Sequence, residues 1–413
     1  MKQRLGVLVA VGSLGLVPWS LGAPDEPPVQ NPRAQGPPAE PAPAPAAPPE
    51  VPASAPASAP ASAPASAPTP TPPSAVDKFD MPFTGDHKSA QNAPTEGEMT
   101  PQLDAATARG LAWLARKQSP DGSFGDDRWG RSVAITALAA IAFMADGNLP
   151  GRGPYGENVE RALKHVLENC TESGLIAGDT AAAPMYGHGF ASLFLCEVYG
   201  MTGGGPDAAQ AAKLHNAVLR AIRLIATTQN DEGGWRYNPI PNDADVSVTI
   251  CQIMALRSAR NAGLDVPKQT IDRAVDYIRR CQNDDGGFKY QLTPGPSAWP
   301  RSAAGIASLY YSGVYEDDQI NKGIKYLRDN AMPGHVDRSS PHYFYGHYYA
   351  AQAMYLAGGT NWSEWWTGVR TELLQSQQPD GFWQDPGVGD VYGTAMALIV
   401  LQMPKRYLPI FQK

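Results

Sequence analysis

The feature that most constrains the fold of this chain is the motif Gln-x-x-x-Gly-x-(Trp or Phe), which occurs four times. The copies lie at residues 118–124, 229–235, 282–288 and 377–383, and each follows a stretch with a helical pattern of apolar residues. Self-similarity at a spacing of roughly 20–50 residues is typical of repeat architectures, in which each unit packs against its neighbours. The chain is therefore predicted to be a repeat protein.

The spacing between copies becomes regular when two degenerate copies are included. The helical run before the first three motifs opens with a basic residue and a small residue, and the same run occurs before Cys170 and Ala331, where the Gln is lost. Six units then begin near residues 109, 161, 220, 273, 322 and 368, about fifty residues apart. A unit of this length accommodates two helices and the turns that join them.

The two halves of each unit have different patterns. In the first unit the first half is amphipathic, with Trp113 and Leu114 on its apolar face and Arg116 and Lys117 on its polar face. The second half carries almost no charge, as expected of a helix that is buried on all sides. These apolar stretches span residues 132–145, 189–199, 247–259, 302–311, 348–356 and 392–401. We predict an all-α fold, an α/α toroid with six inner and six outer helices over residues 101–413.

The repeat resembles that of the squalene-hopene cyclase and protein prenyltransferase β-subunit superfamily, and the resemblance covers about residues 100–413. It implies the same α/α toroid. The Asp-Gly or Glu-Gly pair in each motif predicts a tight turn with glycine in the left-handed conformation. The Gln is expected to cap backbone groups at the end of an outer helix. The motif itself is therefore interpreted as structural.

The N-terminal quarter of the chain has a different composition. Residues 1–23 contain Lys2 and Arg4 followed by an apolar run, which predicts a secretory signal peptide cleaved after Ala23. An uncleaved membrane anchor formed by residues 5–23 is the alternative. Residues 24–100 are rich in Pro, Ala and Ser and predict a disordered linker. The protein is thus expected to be exported to the periplasm or cell envelope, or to be anchored to the membrane.

Charge and cysteine spacing exclude several classes of partner. The formal net charge is −7 and no cluster of Lys or Arg is present, which argues against nucleic acid. The four cysteines, Cys170, Cys196, Cys251 and Cys281, lack the spacing of a zinc site. They are expected to be small buried thiols. A single disulfide between two of them is the alternative that the sequence leaves open. The sequence predicts no metal and no cofactor.

Candidate functional residues lie where the inner helices are predicted to begin, because parallel inner helices bring these ends together at one opening of the barrel. The tripeptides Tyr186-Gly187-His188 and Tyr345-Gly346-His347 occupy the same place in the second and fifth units, and Asp243 and Asp245 lie between them in sequence. Further candidates for ligand contact at these helix starts are Trp299, Arg301, His342, Tyr348 and Tyr392.

The resemblance suggests two catalytic sets, and both are incomplete here. In squalene-hopene cyclases the corresponding segment resembles Asp-x-Asp-Asp-Thr, whose middle acid protonates a carbon–carbon double bond. Asp243 and Asp245 match two of its acids, whereas Val246 stands at the third. In the prenyltransferases Asp, Cys and His bind zinc, but here Ser247 stands where the thiolate is needed. His342 or His347 is the match for the family's His.

Two function classes follow. In the first, the chain is a binding or scaffold toroid with an aromatic and polar central cavity, and Asp243 and Asp245 cap a helix. In the second, Asp243, Asp245, His188 and His347 are catalytic, in terpene-cyclase-like acid catalysis or in glycan cleavage. The ligand is expected to be an apolar or isoprenoid molecule or an envelope glycan. The incomplete catalytic sets favour the first class.

Overall fold

In the computed structural model, the described residues are 95, 97–126, 129–178, 183–203 and 208–412. This part of the chain forms twelve α-helices and no β-strand, apart from three isolated β-bridges. The helices are α1 (Pro101–Arg116), α2 (Val133–Met144), α3 (Gly156–Glu168), α4 (Pro184–Thr202), α5 (Ala208–Thr227), α6 (Val246–Asn261), α7 (Lys268–Arg280), α8 (Trp299–Tyr311), α9 (Asp318–Asn330), α10 (Tyr343–Ala357), α11 (Gly359–Ser376) and α12 (Asp390–Gln402). Two short 3-10 helices, Met403–Lys405 and Pro409–Phe411, follow α12.

The even-numbered helices form a closed inner ring. Each even-numbered helix packs against the next even-numbered helix, and α12 packs against α2. Every residue of α2 and of α12 apart from Asp390 is buried, in agreement with their uncharged sequences. The odd-numbered helices are amphipathic and cover the ring from outside, so that α7, for example, buries Ile271 and Ile278 and exposes its charges. The prediction of an α/α toroid with six two-helix repeats is confirmed.

The Gln of the motif joins neighbouring repeats. The side-chain amide of Gln118 donates to the carbonyl oxygen of Gly122 at 3.0 Å and to that of Asn158, in the next outer helix, at 2.9 Å. Equivalent pairs of bonds are made by Gln229, Gln282 and Gln377. The second acceptor of Gln377 is the carbonyl oxygen of Ala106 in α1, so this bond closes the ring between the last repeat and the first.

A second contact fixes each motif to its inner helix, and we call it the turn latch. The residue at the aromatic position donates its backbone N–H to a side chain near the start of the inner helix. Trp235 donates to Thr249 Oγ1 at 3.1 Å, and the pairs Phe124–Thr136, Phe288–Ser302 and Trp383–Thr394 are equivalent. In the second repeat Ile176 donates instead to His188 Nδ1 at 3.1 Å.

The residues directly before α1 contact the toroid. The carboxylate of Glu98 accepts from the backbone N–H of Thr95 at 2.6 Å and from the indole N–H of Trp362 in α11. Arg406 Nη2 lies 3.7 Å from the same carboxylate. The predicted signal peptide, residues 1–23, and residues 24–94 of the predicted linker lie outside the described residues, so these assignments stay predictions.

Two further expectations concern helices and thiols. Within the described ranges, the structure contains no helix with the length and apolar character needed to cross a membrane. The four cysteines are free thiols, and Cys196, Cys251 and Cys281 are buried. The disulfide that the sequence left open is therefore not formed.

Candidate functional site

All six inner helices begin at the same end of the barrel, which we call the mouth. The segments that lead into them, such as residues 228–245 and 281–298, are longer than those at the opposite end, such as 262–267 and 312–317. Long connections on a rigid scaffold are where binding residues concentrate. The mouth is therefore the end at which a site is expected.

Asp245 is the most perturbed acid at the mouth. It is fully buried and caps α6, since its Oδ1 accepts from the backbone N–H of Val248 at 2.8 Å. Its Oδ2 accepts from the hydroxyl of Tyr290 at 3.2 Å and lies 3.8 Å from Arg236 Nε. Burial raises the pKa of Asp245 to about 7, against the hydrogen bonds and the Arg236 charge, which lower it. The carboxyl is therefore partly protonated at neutral pH.

Asp243 differs from Asp245 although it is only two residues away. Its side chain is 51% exposed and forms an ion pair with Arg236 Nη1. The guanidinium of Arg236 also lies over the ring of Tyr237, 5.0 Å from its centroid, and over that of Tyr290, at 5.7 Å. Asp243 thus belongs to a surface ion pair, and Arg236 connects it to the buried acid.

A pocket of about 200 Å³ lies beside this ion pair, and we call it the mouth pocket. All of its lining residues come from the segment between Trp235 and Asp245: Arg236, Tyr237, Asn238, Ile240, Asn242 and Asp243. Arg236 lines the pocket, and its Nε lies 3.8 Å from Asp245 Oδ2. The Arg236 side chain therefore lies between the pocket and the buried acid.

Tyrosines surround the buried face of Asp245. The hydroxyls of Tyr237 and Tyr290 form a hydrogen bond, and the ring of Tyr186 lies 6.1 Å from that of Tyr237. The hydroxyl of Tyr186 is buried and has no hydrogen-bond partner in the described part of the chain. Burial raises the pKa of Tyr186 well above its usual range, and the charge of Asp245 adds to this. The predicted residues Tyr186 and Asp245 are therefore brought together.

Aromatic side chains of the inner helices contact one another in the barrel interior. Phe190 in α4 and Tyr348 in α10, on opposite sides of the ring, have centroids 6.3 Å apart. Tyr345 donates to the carbonyl oxygen of Ser247 at 3.3 Å, and the hydroxyl of Tyr349 lies 3.4 Å from Cys251 Sγ. Tyr392 is buried in α12. Tyr345, Tyr348 and Tyr392 are thus buried among the inner helices, and their contact with a ligand stays a prediction.

His188 has a structural environment. Its Nδ1 accepts the turn latch from Ile176, and its Nε2 donates to the carbonyl oxygen of Ala221 in the outer helix α5 at 3.3 Å. Burial lowers the pKa of His188 to about 4, so the ring is neutral at physiological pH. The side chain faces the outer layer and does not contact Asp245.

His347 occupies the equivalent position in the fifth repeat. Its ring centroid lies 5.1 Å from that of Trp299, 4.5 Å from Tyr343 and 5.6 Å from Trp365 in the outer helix α11. Neither ring nitrogen has a hydrogen-bond partner in the described residues, whereas His188 accepts the turn latch in the second repeat. Burial lowers the pKa of His347 to about 3. His188 and His347 each contact an outer helix, and their grouping with Asp245 in one site stays a prediction.

Arg301 and His342, the remaining residues predicted to contact a ligand, make contacts within the protein. Arg301 Nε donates to the carbonyl oxygen of Phe288 at 3.0 Å and so supports the turn of the fourth repeat. His342 precedes α10 with φ of 64°, and its ring packs edge-on against Tyr345. Functional roles for these residues stay predictions.

The zinc set suggested by the resemblance does not fit these residues. Among the described residues no three His, Cys, Asp or Glu side chains are close enough to hold a metal ion. Asp245 is bonded to Tyr290 and Val248, whereas His347 lies among aromatic rings. Ser247 also stands where a thiolate ligand is needed.

Sequence reasoning missed Arg236, Tyr237 and Tyr290. A signal for the two tyrosines was present, because each lies two residues after the motif aromatic, Trp235 or Phe288. The backbone N–H of Val246 donates to the carbonyl oxygen of Tyr290 at 3.0 Å, so the segments of the third and fourth repeats pair at the mouth.

Replacement of His188 by Ala is expected to lower the free energy of unfolding by about 1–3 kcal/mol, because the buried N–H of Ile176 loses its acceptor. His188→Thr, which introduces a residue that other repeats use at this position, is the matched control and should lose less. Urea denaturation followed by circular dichroism measures both. An alanine variant as stable as the native protein would contradict the turn latch.

Comparison with known proteins gives matches in sequence and in structure. The prenyltransferase alpha-alpha toroid domain family matches residues 157–407. Drimenyl diphosphate synthase of Streptomyces showdoensis is 26% identical over 186 residues, which are 45% of this chain. The match spans only 32% of that enzyme.

Two solved structures have a similar fold. A type II terpene cyclase from Scytonema superposes with a TM-score of 0.51 at 15% identity, over 75% of this chain and 100% of the cyclase. An α-1,6-mannanase of a Salegentibacter species, in complex with α-1,6-mannotetrose, superposes with a TM-score of 0.55 at 9% identity, over 74% of this chain and 98% of the mannanase. Identities this low show the fold alone.

Proposed function

The chain belongs to the prenyltransferase alpha-alpha toroid domain family, and from this premise we propose that it is a binding toroid that holds its ligand at the mouth of the barrel. Membership by itself does not decide between binding and catalysis, because function belongs to the site and not to the fold. The proposal therefore depends on what the barrel interior and the mouth can accommodate.

Aromatic packing across the barrel is the observation that carries this proposal. The contact between Phe190 and Tyr348 joins helices on opposite sides of the ring, and both side chains are buried. A cyclase must enclose a long apolar substrate next to its acid, and such ligands need cavities of roughly 300–1,000 Å³. The contact between Phe190 and Tyr348 occupies part of the space that such a substrate would need at the centre of the barrel.

The bonding of Asp245 also supports a binding role. Its Oδ1 accepts the backbone N–H of Val248, as expected of an N-cap residue, and its Oδ2 accepts from Tyr290. Both carboxyl oxygens are therefore directed at protein groups. The mouth pocket, in contrast, is lined by side chains that are open to solvent, such as Asn238 and Asn242.

Export is part of the proposal. The apolar segment at residues 1–23 and the linker at residues 24–100 would place the toroid in the cell envelope, away from cytoplasmic prenyl diphosphates. Glu98, which is bonded to Trp362, would fix the end of the linker to the outer helix α11. The ligand is therefore expected to be an envelope molecule.

Acid catalysis is a second candidate, favoured by one observation. Burial raises the pKa of Asp245 to about 7, and Tyr186 and Tyr290 lie beside it. A protonated carboxyl among aromatic rings is the arrangement that protonation of a double bond requires. An isoprenoid would be the substrate in this case.

The two candidates are separated by incubating the purified protein with geranylgeraniol and with squalene at pH 5–7 and analysing extracts by mass spectrometry. We expect no cyclised product from the native protein. Asp245→Asn is the control, because Asn is an equally good N-cap and the fold should be kept. A cyclic product that forms with the native protein and disappears in this variant would overturn the binding proposal.

A further inference from the structure

We propose that the mouth pocket binds one neutral sugar residue of a glycan. This rests on the proposed binding function and names the ligand class of the same site. The argument starts from its lining, which combines an ion pair, two amide side chains, a tyrosine ring and an exposed aliphatic residue.

The charge of the pocket disfavours an anionic ligand. Arg236 is the one cation among the lining residues, and its guanidinium is paired with Asp243 and faces Asp245. Tyr237 and Tyr290 pack against the guanidinium. A phosphate or diphosphate would have to compete with two carboxyl groups for a single cation. A ligand without charge meets no such opposition.

The polar side chains of the pocket match hydroxyl groups. Asn238 and Asn242 are exposed, and neither side-chain amide has a hydrogen-bond partner within the described part of the chain. An amide presents both donors and an acceptor, and each sugar hydroxyl can donate and accept. The carboxylate of Asp243, which is half exposed, adds an acceptor at the rim. An isoprenoid chain would displace water from these groups without replacing its hydrogen bonds.

The apolar part of the pocket is held in a fixed position. The side chain of Ile240 is 54% exposed. Its neighbours Pro239 and Pro241 restrict the backbone on both sides. The backbone N–H of Ile240 donates to the carbonyl of Asn238 at 2.8 Å, and that of Asn242 donates to the carbonyl of Ile240 at 2.9 Å. This loop therefore presents Ile240 without a large loss of conformational entropy on binding. The C–H face of a sugar ring is a suitable partner for it.

The volume of the pocket limits the ligand to one ring. About 200 Å³ is less than the roughly 300–1,000 Å³ of sites for drug-sized molecules. The pocket is open to solvent on one side, since Asn238, Ile240 and Asn242 are all exposed. A glycan would place one residue in the pocket and continue outward.

Isothermal titration calorimetry on the full chain tests this assignment with four probes: α-1,6-mannotetraose, the tetramer of N-acetylglucosamine, geranylgeraniol and inorganic pyrophosphate. We expect one of the two oligosaccharides to bind, and Asn242→Ala and Ile240→Ser each to weaken binding about tenfold, equivalent to about 1.4 kcal/mol. The matched controls are Asn216→Ala and Leu219→Ser, because both residues are exposed on α5, outside the pocket. They should leave binding unchanged.

The outcomes distinguish the sugar assignment from the proposed function. Binding of geranylgeraniol or pyrophosphate that depends on Asn242 and Ile240 would overturn the sugar class but keep a binding site at the mouth. Oligosaccharide binding that is insensitive to both substitutions would place the glycan elsewhere and overturn the pocket. Failure of all four probes to bind would count against both the sugar and the binding proposal.

Discussion

Replacing Gly233 by Val is expected to lower the free energy of unfolding by about 3 kcal/mol or more. Gly233 has φ of 102°, where a β-branched residue is strained by about 1–3 kcal/mol. A Cβ atom at this position would also lie 2.2 Å from the carbonyl oxygen of Arg273, which begins the corresponding run of the next repeat. Since a backbone atom cannot move aside cheaply, the joint between the repeats must open. Urea denaturation followed by circular dichroism measures the loss.

Gly263→Val separates the two causes of that loss. Gly263 also has a positive φ, of 80°, but a Cβ atom there would meet no atom within 4 Å. This variant should show the backbone strain alone and lose less stability than Gly233→Val. Gly286→Val, whose Cβ would lie 2.4 Å from the carbonyl oxygen of Lys322, should behave like Gly233→Val. A loss below about 1 kcal/mol in Gly233→Val would contradict the interpretation of the motif as the joint between repeats.

The fold could be predicted because its determinants recur along the chain. The glycine at each turn and the Gln that binds the next outer helix are set by backbone geometry that the four complete motifs share. The number of repeats and the burial of the inner helices follow from the same periodicity. Both could therefore be derived from residue spacing without knowledge of any tertiary contact.

The candidate site was harder to predict, because the repeated sequence pattern does not show which residues have contacts that differ from those of their equivalents in other repeats. The two Tyr-Gly-His tripeptides suggested a shared site, but their histidines occupy the turn-latch position that Thr249 and Ser302 fill in other repeats. That position faces the outer layer. To recognise the turn-latch position in the sequence, the inner-helix starts of all six repeats must be aligned. This alignment is difficult because two of the six motifs are degenerate.

The neighbours of Asp245 depend on contacts between repeats. Arg236 and Tyr290 reach the carboxyl from two different mouth segments, and the residues between Arg236 and Asp245 form the mouth pocket. Their meeting depends on how the third and fourth segments pair, for example through the side-chain amide of Gln291, which donates to the carbonyl of Ala244 at 3.0 Å. Such non-repetitive pairing leaves no period in the sequence.

Glu197 is a second buried acid that the repeat pattern did not reveal, and it lies towards the opposite end of the barrel. Its Oε1 accepts from the hydroxyl of Ser258 at 2.6 Å, and its Oε2 accepts from the backbone N–H of Ile410 at 3.2 Å. Burial raises the pKa of Glu197 to about 7. The C-terminal segment is thus bonded to a carboxyl group that titrates near neutrality, as Asp245 does at the mouth.

Four of the buried titratable groups, Asp245, Glu197, His188 and His347, predict opposing effects of pH on stability. Asp245 and Glu197 have folded pKa values of about 7, above the unfolded values of about 4. Their contribution to stability is present below pH 4 and is lost as pH rises towards 7. His188 and His347 have folded pKa values of about 4 and 3, below the unfolded value of about 6.5. Their contribution is present above pH 6.5 and is lost as pH falls.

Between about pH 4.5 and 6.5 these two carboxyls and two imidazoles should nearly cancel, because folding takes up two protons at the acids and releases two at the histidines. Asp245→Asn or Glu197→Gln removes one of the acids. The free energy of unfolding should then rise with pH more steeply than in the native protein, by about 1.4 kcal/mol per pH unit. His188→Thr should change the slope by the same amount in the opposite direction.

Urea denaturation at pH 4.5, 5.5 and 6.5 measures these slopes, and comparing each variant with the native protein cancels every other titrating group. Over this range the expected difference for Asp245→Asn reaches about 3 kcal/mol. Asp104→Asn, on the exposed face of α1, is the control for removing a surface carboxylate. Parallel profiles for the native protein and Asp245→Asn would mean that Asp245 is ionised throughout, which would also remove the basis for its role as a catalytic acid.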